Sequence, residues 1–170
     1  MSSERTNATT TAEVAPEEED MTRDRYLCFT LGEQSFAVPI TVVREIVEMQ
    51  EITAVPHMPD YLRGVVNLRG QIIPIIDLRL RLGLEFREYD RRTCIVIVAH
   101  EDRQVGLVVD RMDEVVHFDE DHREAAPDYR DEHGMHRFIG GVGRRDDRVV
   151  MLLDSNTLLA HSKVTVGSDG

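Results

Sequence analysis

Two polar side chains interrupt an otherwise apolar stretch of the sequence, and their chemistry needs a reason. The stretch runs from Gly64 to Leu78, and Asn67 and Arg69 lie in its first half. An unpaired guanidinium inside an apolar strand carries a large desolvation cost, so Arg69 must lie at an exposed turn, find a carboxylate, or contact a partner. Arginine is also a good anchor in interfaces, because its planar fork presents several donors. Glu45 is the candidate counter-charge, or a second anchor beside Arg69.

Histidines and acids are frequent in the second half of the chain and raise the question of a metal site. The tightest local pattern is His133-x-x-His136, with Asp119 and Glu132 upstream. It does not match the ligand spacing of a zinc or iron site, and no cysteine lies near it. We therefore expect solvated loop histidines, no bound metal and no cofactor. A small metal-binding β-barrel is the less favoured alternative.

Motifs of common enzyme active sites are missing from the sequence. The glycines of Gly140-Gly141-x-Gly143 lack the spacing and the strand-to-helix setting of a dinucleotide site. No Gly-x-Ser-x-Gly motif, Cys–His nucleophile pair or kinase motif occurs. Asp113 and Glu114 have no nucleophile or phosphate-binding loop beside them. We expect a binding protein and not an enzyme.

Charge and composition limit the classes of partner. The 170 residues carry a net charge of −12, which repels a polyanion and argues against nucleic acid. No apolar run approaches the roughly 20 residues that span a bilayer, so we expect no membrane insertion. The N-terminus lacks the order of a secretory signal, and Cys28 and Cys94 form no Cys-x-x-Cys motif. We expect a cytoplasmic protein with reduced thiols.

The apolar pattern predicts an all-β chain with a few short helices. An acidic tail at 1–24 is predicted to be disordered, and residues 162–170 to form a flexible tail. Gly70 joins the two strands of the hairpin at 64–78 because glycine readily adopts a positive φ, and Asp77 is placed to cap a short helix at 78–84. Residues 119–134 are predicted to form a polar loop. The other predicted elements are strands at 26–31, 36–40, 93–99, 104–109, 115–118, 138–142 and 149–153, a helical turn that leads into a strand at 42–48, and a helix at 155–160.

A weak internal duplication relates the two halves of the chain. Positions 36–47 match 105–116 at a spacing of 69, and positions 64–77 match 141–154 at a spacing of 77. Shared apolar positions alone would fit any two β-segments, but the matched glycine, valine and aspartate favour two similar units. Short strands with few helices indicate small barrels, so we expect two tandem β-barrels with a groove between them. Because Asn67 and Arg69 are not repeated, we expect the function there.

Several motifs together resemble the CheW-like domain of chemotaxis coupling proteins. They are Tyr26-Leu-Cys-Phe-Thr-Leu-Gly32, Val43-Arg-Glu-Ile46, Gly64-Val-Val-Asn-Leu-Arg-Gly70, Ile72-Ile-Pro-Ile-Ile-Asp-Leu78 and Gly106-Leu-Val-Val-Asp110. The most specific are Asn-Leu-Arg-Gly and Pro-Ile-Ile-Asp-Leu at this spacing. The resemblance implies a domain over residues 25–161, built of two intertwined SH3-like five-stranded barrels.

The resemblance also implies a function and its partners. It implies a non-catalytic adaptor that couples the cytoplasmic tip of methyl-accepting chemoreceptors to the regulatory domain of the histidine kinase CheA, in arrays at the membrane. An adaptor for a pathway that controls pili or gene output is the alternative. By position, the implied receptor-facing residues are Val43, Glu45, Ile46, Asn67, Arg69, Gly106 and Val115. The implied kinase-binding or supporting residues are Gly64, Ile72 and Pro74.

Overall fold

The computed structural model describes residues 22–126 and 134–160 of the chain. The predictions for residues 1–21, for 127–133 within the polar loop and for the C-terminal tail lie outside the described residues. Asp24, at the end of the predicted tail, is held to the domain by a hydrogen bond and an ion pair. Its carbonyl oxygen accepts a hydrogen bond from the Phe118 amide at 2.8 Å, and its carboxylate lies 3.2 Å from the guanidinium of Arg123.

The described chain consists mainly of short strands. The strands are β1 Arg25–Leu31, β2 Gln34–Pro39, β3 Val43–Glu48, β4 Leu62–Leu68, β5 Gln71–Asp77, β6 Cys94–His100, β7 Arg103–Val109, β8 Arg111–His117, β9 Arg123–Ala125, β10 Ile139–Arg145 and β11 Arg148–Leu153. The helices are α1 Leu78–Arg81 and α2 Ser155–Leu159, and 3₁₀ turns occupy Ile40–Val42, Glu120–His122 and Met135–Phe138. No helix among the described residues is long and apolar enough to cross a membrane.

The strands form two curled sheets, which we call barrel A and barrel B. Barrel A has the strand order β8-β1-β2-β11-β10-β9, and barrel B has the order β3-β6-β7-β5-β4. In barrel A the chain passes from β8 into β9, which pairs with β10. In barrel B the segment after β3 pairs with β4 through a bridge between Thr53 and Val65. The chain that follows β8 thus closes barrel A, and the chain that follows β3 closes barrel B.

The predicted all-β fold of two barrels is confirmed, but the barrels do not follow one another along the chain. Barrel A contains β1, β2 and β8–β11, whereas barrel B contains β3–β7. The chain crosses between them at Ile40–Val42 and again at Asp110. Each barrel therefore takes strands from both halves of the sequence, as the intertwined arrangement implied. Barrel A has six strands because β9 forms inside the segment predicted to be a polar loop.

The internal duplication corresponds to matching structural elements. The β2–β3 segment is repeated as β7–β8, and the β4–β5 hairpin as β10–β11. The two parallel strand pairs, β5 with β7 and β2 with β11, join the halves in the same way. Asp77 caps α1 by accepting a hydrogen bond from the Leu80 amide at 3.2 Å, and Asp154 caps α2 by accepting one from the Asn156 amide at 3.1 Å. α1 is shorter than predicted.

Alternating side chains on the central strands fill three apolar clusters in the part of the chain that the structure describes. On β6, Ile95 and Ile97 point into barrel B, whereas Val96 and Val98 point toward barrel A. The largest cluster contains buried residues from both sheets and from both helices. The space between the barrels is therefore packed core, and the predicted groove is confined to surface clefts, one of which is lined in part by Gly32 and Arg92.

Candidate partner-binding surface

Glu45 and Arg69 form an ion pair that joins the two outer strands of barrel B. Glu45 lies on β3, and its Oε2 accepts a hydrogen bond from Nη2 of Arg69, just beyond the end of β4. The Arg69 side chain is 66% exposed and that of Glu45 is 33% exposed. The sequence expectation that Glu45 is the counter-charge of Arg69 is confirmed. Two of the three arrangements expected for Arg69 are observed at the same time, because it lies in an exposed turn and has a carboxylate partner.

The turn that carries Arg69 is held in shape by Asn67. Arg69 and Gly70 have φ values of 53° and 86°, as a two-residue hairpin of type I′ requires. The amide of Gly70 donates a hydrogen bond to Oδ1 of Asn67 at 2.8 Å. Asn67 therefore fixes the turn that carries Arg69, and Glu45 binds its guanidinium.

Exposed apolar side chains lie on the same strands as this pair or next to it. Ile46, beside Glu45 on β3, is 46% exposed, and Ile72, at the start of β5, is 52% exposed. The run after Gly70 is too apolar for a strand that faces solvent, yet Ile72 is exposed, whereas Ile73 and Ile75 are buried. Val43 is half-buried.

Barrel A repeats this combination of an ion pair and exposed apolar residues. Val115 and Val149 are the repeat equivalents of Ile46 and Ile72, and they are 44% and 50% exposed. Glu114, the equivalent of Glu45, lies 3.2 Å from Nη1 of Arg148, the first residue of β11. Val115 therefore belongs to a second, equivalent surface and not to the surface of Glu45.

The two predicted glycines are packing positions. A Cβ on Gly106 would lie 2.6 Å from Cδ1 of Ile75 and 2.7 Å from Cγ2 of Ile95, inside barrel B. Gly64 has a φ of 142°, and a Cβ there would lie 2.1 Å from the carbonyl oxygen of Thr53. Pro74 is half-buried on β5. The structure thus brings Glu45, Asn67 and Arg69 together and places both glycines in the interior.

Asp110 is a polar centre that the sequence analysis did not single out. At the crossing from β7 to β8, its carboxylate accepts hydrogen bonds from the Gly32 amide at 2.7 Å and from Nε and Nη2 of Arg79 at 2.9 and 2.8 Å. Arg87 lies 3.3 Å away. Burial alone would raise the pKa of Asp110, but the hydrogen bonds from Arg79 and Gly32 outweigh it and lower the pKa. The internal duplication could have pointed to this residue, because the equivalent position in the first half is Thr41 and the acid is therefore not repeated.

The Cys28 thiol and the candidate metal ligands are potential sites of reactive chemistry within residues 22–126 and 134–160. Burial raises the pKa of the Cys28 thiol to about 11, which keeps it protonated and unreactive. No group of three or more His, Cys, Asp or Glu residues in those ranges is placed to hold a metal ion. His133, part of the metal hypothesis, lies outside them.

Two interleaved small barrels, each with an ion pair and exposed apolar side chains, define an all-β adaptor type of domain. A family model described as the CheW-like domain matches residues 25–163. The chain therefore belongs to the CheW-like family of chemotaxis adaptor and scaffold proteins, which are not catalytic.

Similar proteins span most of the chain. A chemotaxis protein CheW of Klebsiella aerogenes is 31% identical over 83% of this chain and 84% of its own length. Protein PilI of Pseudomonas aeruginosa is 32% identical over 69% of this chain and 66% of its own. The crystal structure of the scaffolding protein TtCheW from Thermoanaerobacter tengcongensis is 31% identical, with a TM-score of 0.75 over 82% of this chain and 95% of that chain.

Proposed function

We propose that the protein is a cytoplasmic adaptor that couples the tip of methyl-accepting chemoreceptors to the regulatory domain of the histidine kinase CheA. The observation that carries the proposal is the surface of barrel B, where the exposed Ile46 and Ile72 lie on either side of the ion pair of Glu45 and Arg69. Binding of one partner at β3 and of the other at β5 would let one molecule hold both. Membership of the CheW-like family supports this use of the surface.

The receptor contact in this proposal is the surface of barrel B. Ile46 supplies an exposed apolar contact, and the pair of Glu45 and Arg69 supplies fixed charges that set the register of a receptor helix. Asn67 preorganises the turn, while Val43 and Gly106 support the contact through packing inside the protein. Val115 lies on barrel A, outside this contact.

The kinase contact in this proposal is between barrels. The regulatory domain of CheA has the same double-barrel form in this family, so Ile72 and Pro74 on β5 are the proposed contacts and Gly64 supports them. Each contact can be of moderate affinity, because an array multiplies weak binding.

A binding assay with both partners tests the proposal. The full chain is mixed with a fragment of the cognate receptor tip and with the CheA regulatory domain, separately and together. We expect the chain to capture each partner and to hold both in one complex. Binding to neither partner would refute the adaptor function, and a fluorescent fusion that fails to join receptor clusters would refute the array location.

Similarity to the PilI protein favours a second candidate, an adaptor for a pathway with a different output. The same assay with the kinases of each chemosensory pathway in the source organism separates the two. Preference for a kinase encoded beside pilus genes would assign the protein to that pathway.

A further inference from the structure

Phe86 is an exposed aromatic side chain that the internal duplication does not explain. The described residues include five exposed large apolar side chains, and four of them form the repeated pairs of Ile46 with Val115 and Ile72 with Val149. Phe86 is 46% exposed, and the residue at the repeat spacing of 77 is Lys163. Barrel construction therefore gives no reason for a phenylalanine at this position.

The Phe86 ring is held in place by its neighbours. Its centroid lies 5.5 Å from that of Tyr89 at an angle of 60°, and the guanidinium carbon of Arg63 lies 5.0 Å from the Phe86 ring centre. The hydroxyl of Tyr89 donates a hydrogen bond at 2.7 Å to Asp77, a buried carboxylate. An exposed ring with a fixed position loses little entropy on binding, which suits it to an interface.

The backbone that carries Phe86 is also fixed on both sides. Nη1 of Arg79 donates a hydrogen bond to the carbonyl oxygen of Glu85 at 3.1 Å, and Arg87 pairs with Asp110. The connector between α1 and β6 has no regular structure, yet it is held by hydrogen bonds to Arg79 and Asp77 and by the ion pair with Asp110. An ordered irregular loop that displays an aromatic ring is typical of a binding surface.

This aromatic surface and the ion pair of Glu45 and Arg69 lie at opposite ends of β4. Arg63 is near the start of the strand, and Arg69 follows its end. Six residues of strand cover about 20 Å. Along that length the exposed residues are Thr53 and Ala54, beside Val65, and Asn67. A helix rises about 1.5 Å per residue, so about 13 residues would reach from one end to the other.

We propose that Phe86 and Arg63 form a second contact for the same receptor helix that binds at Glu45 and Arg69. This inference rests on the proposed function and deepens it by extending the receptor footprint along β4. The helix would bring an apolar side chain to Phe86 and carboxylates to Arg63 and Arg69, each guanidinium meeting an acid at its end of the strand.

Calorimetric titration of the full chain with a coiled-coil fragment of the cognate receptor tip tests the inference. Phe86→Ser should weaken binding about tenfold, as expected for loss of an aromatic anchor. His117→Ser, a control that removes an exposed ring on barrel A, should change it by less than about twofold. Arg63→Gln should weaken binding and reduce its dependence on salt, since one charged contact is lost. The melting temperature checks that each variant is folded. If Phe86→Ser is not folded, Arg63→Gln still tests the inference.

The outcomes separate this inference from the proposed function. If Arg69→Ala weakens receptor binding while Phe86→Ser and Arg63→Gln bind as the natural chain does, the extended footprint is wrong and the adaptor function stands. If Phe86→Ser loses affinity for the CheA regulatory domain and keeps its affinity for the receptor fragment, the occupant is the kinase and the inference is wrong. If the natural chain does not bind the fragment, the receptor part of the proposed function fails first.

Discussion

At the scale of single residues, charge pairs on this protein differ in how far they are removed from water. In the pair of Glu45 and Arg69 the arginine side chain is exposed and the glutamate is partly exposed, and pairs at the surface contribute only about 0.2–1 kcal/mol to folding. The carboxylate of Asp110 is 17% exposed and accepts hydrogen bonds from an amide and a guanidinium. The exposed pair is therefore available for a partner, whereas Asp110 serves the fold.

Arg69→Ala and Glu45→Ala should weaken binding of the receptor fragment and leave stability nearly unchanged. The reason is that both side chains are exposed enough for water to replace the lost contact. Calorimetry gives the affinity, and thermal unfolding gives the stability. Glu124→Ala, which breaks the exposed pair of Glu124 with Arg144 on barrel A, is the control that should alter neither. If Arg69→Ala unfolds the protein, the residue is structural and its role as an anchor is wrong.

Asp110→Asn should make the protein less stable near neutral pH and remove part of its sensitivity to acid. The folded pKa of Asp110 lies below its ordinary value of 3.8, so its stabilising effect is present above that value and is lost as the pH falls through the lowered pKa. Urea unfolding from about pH 7 to about pH 2 measures the effect. The stability gap between the natural chain and the variant should narrow in acid.

The exposed Asp147→Asn is the matched control for this titration, because it removes one acid without breaking the Asp110 network. Its stability should follow that of the natural chain at every pH. A gap for Asp110→Asn that stays constant down to the lowest pH would contradict the assigned role of its ionised carboxylate.

At the scale of elements, closure of barrel B depends on a close approach of two backbones. The chain after β3 reaches β4 at Thr53, whose amide donates to Val65 at 2.8 Å and whose carbonyl oxygen accepts from the Val65 amide at 2.9 Å. Gly64, next to Val65, makes room for this bridge. The Glu45–Arg69 ion pair joins the same two outer strands near the hairpin turn.

Gly64→Ala should destabilise the protein by several kcal/mol, more than the 1–3 kcal/mol that overpacking usually costs. A Cβ would collide with the Thr53 backbone, which cannot move aside without opening the bridge, and the φ of 142° is unfavourable for alanine. Gly140→Ala is the matched control, because its nearest neighbour would be 3.5 Å from the new Cβ. Urea unfolding of both variants decides the matter, and equal losses would show that the bridge is not the cause.

The elements themselves were largely predictable from the sequence. Alternation of apolar residues marked the strands, and Gly70 marked the turn of one hairpin. β9 was missed because Arg-Glu-Ala carries no alternation, and it forms only because β10 offers an edge. The exposure of Ile72 was missed because composition cannot tell which face of a strand meets a partner.

At the scale of the whole molecule, the sequence revealed the duplication but not the exchange of strands. A match between positions 36–47 and 105–116 shows that two segments are alike, and it does not show that each segment passes from one barrel to the other. The polar contacts were likewise predictable only in part. The pairing of Glu45 with Arg69 was predictable from charge, whereas the network of Asp110 depends on the crossing and was visible only in the fold.

The interleaved topology predicts that the barrels unfold together. Ile75→Ala, in the core of barrel B, should lower the free energy of unfolding by about 2–5 kcal/mol, the usual range for deleting a buried aliphatic side chain. Because β2 continues directly into β3 and the largest cluster is shared, barrel A loses its framework when barrel B opens. Native-state hydrogen exchange should show reduced protection by the same amount at Val96 in barrel B and at Val150 in barrel A. The exposed Val149→Ala should leave both unchanged, and a loss confined to Val96 would mean that the barrels are independent despite their interleaved strands.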